Sequence, residues 1–186
     1  MLKCNRIHRN QDIWVIIMFT LDFATQKDIP NMMNIIEESL PLMPNQDWFV
    51  GDTAEFYGQH IKDCGFTLKA TSGSDGALAA FFIVRYPKLD SDNCGLDLDF
   101  TEDALLKTAH METCVVHPDY RGHHLEARLM GSAIELLKST DYCHLLGTVH
   151  PDNIPSVKAF LNNGFHVEKT LKKYGGKLRH IMYRKI

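Results

Sequence analysis

The apolar positions of this chain change period several times, and each change marks an element. Residues 14–23 are dense in β-branched and aromatic side chains and read as a strand, with residues 13–19 as its buried part. Asp28 and Pro30 then open a helix. Ile29, Met33, Ile36 and Leu40 recur there at helical spacing, and Pro41 and Pro44 end it. Residues 52–62 suit a second short helix. Residues 65–72, a Gly-, Ser- and Asp-rich turn and residues 77–86 form a strand–turn–strand pattern, with the unbroken apolar run at 77–84 as a central strand. Residues 88–106 are polar and read as a surface loop with a little helix. Residues 107–117 read as another strand, closed by Pro118. From Gly122 a helix places Leu125, Leu129, Ala133 and Leu136 on one face. A strand at 142–149 precedes a helix at 153–163, with Ile154, Val157 and Leu161 inward and Gly164 at its end. Residues 165–173 and 178–186 form a last hairpin around Gly175-Gly176. The order predicts an α+β fold with one central sheet flanked by helices.

The 186 residues suffice for one well-buried core. The division expected is a tail at 1–12 and a single domain at 13–186. Lys3, Arg6 and Arg9 ahead of an apolar stretch look like a signal peptide, but Gln11 and Asp12 interrupt the order and no small-residue cleavage site follows. The run is far shorter than the ~20 residues of a membrane span. Translation from Met1 or from Met18 is equally compatible with the sequence. A formal net charge of -3 argues against a nucleic-acid binder. Cys4, Cys64, Cys94, Cys114 and Cys143 are odd in number and widely spaced, which fits reduced thiols in a cytoplasmic protein. No Cys or His group has metal-ligand spacing, so no metal is expected.

The most informative segment runs Val115-Val116-His117-Pro118-Asp119-Tyr120-Arg121-Gly122-His123-His124-Leu125-Glu126-Ala127. A strand ends, the chain turns sharply, and a helix starts. A helix N-terminus offers unpaired N–H groups and a positive dipole end, which suit a pyrophosphate. This segment resembles the acyl-CoA signature of the GNAT acyltransferases. His150-Pro151-Asp152-Asn153, opening a helix that ends in Asn162-Asn163-Gly164-Phe165, is similar to the family's second motif. The resemblance implies a mostly antiparallel sheet of about seven strands, splayed between the fourth and fifth, with acetyl-CoA as co-substrate. It implies that Cys114, Val115 and Val116 contact the acyl group and pantetheine. Arg121, Gly122, His123, His124, Leu125, Glu126 and Ala127 would surround the pyrophosphate, and Asn153 and Phe160 would meet the cofactor arm. His124 and Glu126 stand where the family usually has small residues. A left-handed backbone costs a bulky residue about 1 kcal/mol. A carboxylate 4 Å from a phosphate charge is repelled by about 4 kcal/mol at an effective dielectric of about 20. Glu126 therefore has to turn away, or the cofactor pose differs. His123 and His124 either offset that charge or are solvated turn residues.

Transfer of an acetyl group to an amine needs a neutral nucleophile, yet an alkyl amine is only roughly one part in a thousand neutral at pH 7. Glu112, where the family often places a glutamate, is the candidate base. The resemblance assigns the oxyanion donors to backbone N–H groups near Val115 and Val116. It places a tyrosine acid where this chain has Phe160, so Tyr174 in the last hairpin is the substitute candidate, the alternative being an aromatic beside a turn. Cys114 and His117, three apart on a strand, face opposite sides and do not suit a Cys–His pair. Trp48, Phe49, Asp52, Glu55 and Tyr57 suit a cationic amine, or form a packed helix face. The basic last hairpin either blocks edge aggregation, binds an anionic acceptor or meets the cofactor phosphates. The function implied is acetyl transfer to a primary amine of a small molecule or peptide. The alternatives are an acyl-CoA-binding sensor and, more weakly, a nucleic-acid module. Neither nucleic acid nor membrane is expected as a partner, and a homodimer is left open.

Overall fold

The computed structural model describes residues 7–10, 13–16 and 18–186, the first two segments and Lys62 by backbone alone. The strand expected at 14–23 is two strands. β2 (Ile13–Ile16) pairs antiparallel with β1 (Ile7–Asn10) in a separate two-stranded sheet, and β3 (Phe19–Phe23) starts the main one. Most of the expected tail lies outside the described residues, as do the side chains of the expected buried run before Met18.

The main sheet adds β4 (Gly65–Ser72), β5 (Leu78–Arg85), β6 (Thr108–Val116), β7 (His144–Val149), β8 (His166–Lys173) and β9 (Lys177–Lys185). Its order is β3-β4-β5-β6-β7-β9-β8, antiparallel except between β6 and β7. The apolar run of β5 is buried along nearly its whole length at the centre of one half. α1 (Ile29–Ser39) and α2 (Ala54–Lys62) cover one face through Met32, Ile35, Ile36 and Tyr57 against Phe81, Ile83 and Val115. α4 (Leu125–Leu137) and α5 (Ile154–Asn162) contribute Leu129, Ala133 and Phe160 to the core that holds Ala80, Phe82 and Met111. Thr53 and Asn153 accept hydrogen bonds from backbone N–H groups in the first turns of α2 and α5, which fixes where those helices start.

The apolar faces of α1 and α5 are rotated from their sequence-based placement, whereas α4 buries Leu125, Leu129 and Ala133 as expected. α1 buries Met32, Ile35, Ile36 and Ser39. α4 buries Leu137 and leaves Leu136 exposed. α5 buries Ala159 and Phe160 while Ile154 and Leu161 face outward. The polar stretch before β6 holds a short helix α3 (Glu102–Leu106), but it is not wholly a surface loop, because Asn93 and Cys94 are buried.

Candidate active site

β6 and β7 are paired only from Thr108–His110 to His144–Leu146. Beyond that the two strands part, so the β7-facing edge of β6 has no strand partner from Glu112 onward among the described residues. Gly147 sits at the fork. A Cβ there would lie 2.5 Å from Phe160 Cζ and 3.2 Å from the Met111 carbonyl oxygen. The missing side chain lets β6, β7 and α5 meet where the sheet opens.

The opening holds two cavities. The larger, about 740 Å³, lies between the end of β6 and the N-termini of α4 and α5. Its lining includes Cys114, Val115, Val116, Arg121, Gly122, His124, Leu125, Glu126, Ala127 and Asn153. The predicted cofactor residues are thus brought together except for two. The His123 side chain does not line it but is buried, its ring centroid 5.0 Å from that of Phe19. Phe160 lines the smaller cavity instead. The approach to α4 is built by positive φ values at Gly122 (82°) and His124 (56°). His124 therefore takes the left-handed conformation that glycine adopts more easily, immediately before the first turn of α4. The loop is tied down by the Tyr120 hydroxyl, which donates to Asp75 Oδ2 at 2.8 Å.

Glu126 is turned towards α5. Its Oε1 accepts from the Ser156 hydroxyl of α5 at 2.6 Å, across the cleft between the helices. Burial pushes this carboxyl up, against the lowering effect of the Ser156 bond. A raised pKa lowers the cost of protonating the carboxyl when an anion approaches.

The smaller cavity, about 340 Å³, shares Trp48, Cys114, Glu126 and Asn153 with the larger one. It also contains Glu112, Tyr174, Arg85, Asp52, Asp92, Thr148 and Arg179. Glu112 owes its place to a β-bulge. Val84 faces Met111 and Ile83 faces Thr113, which leaves Glu112 as the extra residue. The bulge shifts the alternation, so Ala109 and Met111 before it and Cys114 and Val116 after it meet the same core.

The partner of Glu112 is His110, whose Nδ1 lies 3.3 Å from Glu112 Oε2. The Cys94 backbone N–H donates to the other ring nitrogen, Nε2, at 3.1 Å. Nε2 is therefore the acceptor, and Nδ1 carries the ring proton and donates to Glu112. Arg85 lies 4.0 Å from the same carboxylate and is held by Asp90 and Asp92 at 2.7–2.8 Å. Burial pushes the Glu112 carboxyl up, but the interaction with His110 and the Arg85 charge outweigh it and hold it below its usual range. Burial and the nearby Glu112 push Asp52 the other way, upward. The Tyr174 hydroxyl shares a 3.1 Å hydrogen bond with Thr148 Oγ1, and burial raises its pKa well above the phenolic value.

Of the expected acceptor residues, Trp48, Phe49 and Asp52 line this cavity. Glu55 is exposed, and Tyr57 is buried beneath the site, its hydroxyl accepting from the Asp52 N–H at 3.1 Å. His117 pairs with Glu38 at 3.0 Å rather than with Cys114. His110, Arg85 and Ser156 were not foreseen. Only His110 left a readable signal, an alternate position two residues from Glu112 on one strand.

A sheet split between its fourth and fifth strands, opening onto a helix N-terminus, defines an acyl-CoA N-acyltransferase fold. Residues 75–165 match the profile described as the Acetyltransferase (GNAT) family, and that segment is a domain of this family. No curated protein sequence matches the chain significantly. Solved structures share its fold at low identity. The acetyltransferase of GNAT family from Streptococcus pneumoniae is 17% identical with a TM-score of 0.67, over 91% of this chain and 99% of that one. The ribosomal-protein-S18-alanine N-acetyltransferase from Escherichia coli is 18% identical with a TM-score of 0.66, over 91% and 94%. The yncA protein from Salmonella typhimurium, solved with its cofactor acetyl-CoA, is 17% identical with a TM-score of 0.65, over 90% and 93%. Among the described residues no cluster of His, Cys, Asp or Glu suits a metal, and no helix is long and apolar enough to cross a membrane.

Proposed function

We propose that this protein transfers an acetyl group from acetyl-CoA to a primary amine of a small molecule or peptide, by direct attack in a ternary complex in the cytoplasm. The observation that carries this reading is the meeting of the two cavities at Cys114, Glu126 and Asn153, with the ionised Glu112 in the smaller one. Acetyl-CoA supplies the activated thioester. The residues fit it: the first turn of α4 and the loop from Arg121 to His124 offer N–H groups and a positive dipole end to the pyrophosphate. Asn153 lines both cavities and caps α5 through Oδ1, so the cap does not use its side-chain N–H₂.

In the smaller cavity Glu112 takes the proton of the ammonium, directly or through a water. The neutral nitrogen then forms the C–N bond as the C–S bond breaks, that electron pair stays on sulfur, and the nitrogen releases its surplus proton to solvent to leave the neutral amide. Backbone N–H groups at the unpaired edge of β6, near Val115 and Val116, serve the carbonyl oxygen. Tyr174 stays protonated, so it is a hydrogen-bond donor to the reacting centre rather than a ready proton source. A thiol ionises near pKa 8.5, and the thiolate can take its proton from solvent.

Calorimetry with acetyl-CoA, followed by an acetylation screen against amines, tests the reading. Micromolar binding that is lost in Arg121→Ala, together with transfer to at least one amine, is the expected result. Binding without any transfer makes the protein an acyl-CoA sensor. No binding removes both readings.

A further inference from the structure

The cations of this protein that lie near its acceptor cavity differ in one respect. Arg85 is met by the carboxylates of Asp90 and Asp92, and Lys173 pairs with Asp97. Arg179 is 2% exposed and lines the acceptor cavity, yet no carboxylate of the described residues forms an ion pair with it. Its Nη1 donates to the Leu178 carbonyl (2.8 Å) and its Nη2 to the Asp47 carbonyl (2.7 Å). The Asp47 carboxylate itself goes to Lys177 at 3.3 Å. Each terminal nitrogen keeps a second hydrogen. The guanidinium Cζ also lies over the Tyr174 ring, 5.6 Å from its centroid, and the two carbonyl contacts orient the fork. A buried charge without an ion-paired partner is costly, and the fold retains it at the wall of a cavity, with the Asp47 carboxylate acting on it only at longer range. A planar, pre-oriented guanidinium matches a carboxylate better than any other group.

Away from Arg179 the cavity is rich in carboxyl groups, and its other arginine, Arg85, is already met by Asp90 and Asp92. Glu112 and Asp52 supply carboxyl groups to the same space, and Phe49 and Phe56 add apolar wall. A volume of about 340 Å³ holds a molecule the size of an amino acid and not a folded partner. We infer that the acceptor is a small zwitterion, an α-amino acid with an apolar side chain. Its carboxylate is bound by Arg179 and its amine is presented to Glu112. This rests on the acetyl-transfer reading and narrows it.

The test compares acetylation of L-leucine, L-methionine and L-phenylalanine with that of their amides, which keep the amine and side chain and lose the carboxylate. The wild-type protein is expected to favour at least one acid over its amide by roughly ten- to a hundredfold in kcat/KM, the worth of one charge-assisted contact. Arg179→Gln should raise KM for the acid and bring that ratio to about one, with KM for acetyl-CoA unmoved. Arg179→Lys, which keeps the buried charge and the fold but not the fork, should give an intermediate ratio. If amides or simple amines are acetylated as well as the acids, or if the ratio survives both substitutions, the inference falls and acetyl transfer stands. If the wild-type protein acetylates no amine, both fall.

Discussion

Two carboxyl groups on either side of the loop into α4, Glu112 on β6 and Glu126 in the first turn of α4, are driven in opposite directions. Glu112 is held below its usual pKa by the His110 proton and the Arg85 charge, despite burial. It is ionised wherever an amine substrate is worth deprotonating, so its own titration should leave no limb in the rate profile above about pH 5. Glu112→Gln should lower kcat about a hundredfold with acetyl-CoA affinity unchanged, checked by steady-state kinetics beside calorimetry. An unaltered kcat removes Glu112 as base. Glu126 is raised by burial. A carboxyl raised on folding adds stability in full below its unfolded pKa and loses it as pH rises through the folded value. Glu126→Gln keeps an acceptor for Ser156 and has no proton to hold. The variant should melt higher than wild type near pH 8, and the gap should close as pH falls towards 4. A gap that does not change with pH refutes the raised pKa.

At the scale of elements, the loop into α4 and the fork between β6 and β7 carry the strain and the close contacts. His124 at φ 56° is in a conformation that favours glycine. His124→Gly should raise stability by about 1 kcal/mol, or roughly 2–4 °C in Tm for a chain of this size. Gly147→Ala should do the reverse, because its Cβ would stand 2.5 Å from Phe160 Cζ, and overpacking costs about 1–3 kcal/mol. Phe160→Leu in the same chain should recover part of the loss in a thermal melt. The succession of most elements along the chain and the loop were legible because strand ends, Pro118 and Gly122 punctuate the sequence locally. Helix faces were less legible. On α5, Ile154 and Leu161 lie at helical spacing with Val157, but the helix turns Ala159 and Phe160 to the sheet and Ile154 to the cofactor cavity. His110 stands two residues from Glu112, a spacing the sequence shows, but the bulge that places Glu112 in the cavity is not visible in it, and Arg179 reaches the acceptor cavity through contacts more than a hundred residues apart, which leave no pattern in a window of sequence.

Across the whole molecule, the two halves of the sheet are joined through three residue pairs of β6 and β7, with α4 and α5 packed together beside the gap. A ligand seated between the ends of β6, α4 and α5 therefore links parts that the sheet itself joins weakly. A ligand that binds only the folded state stabilises it by about 2.7 kcal/mol at a hundredfold excess over Kd. For a chain of this length that is a Tm rise of roughly 5–10 °C. Acetyl-CoA should produce this shift in the wild-type protein and much less of it in Arg121→Ala. Hydrogen exchange should show where the linkage acts. Protection should rise in the last residues of β6 and the first turns of α4 and α5, and remain as it was in β3 and β4 at the far edge. Protection confined to β8 and β9 would put the cofactor against the basic hairpin instead, and the helix N-termini would lose their role.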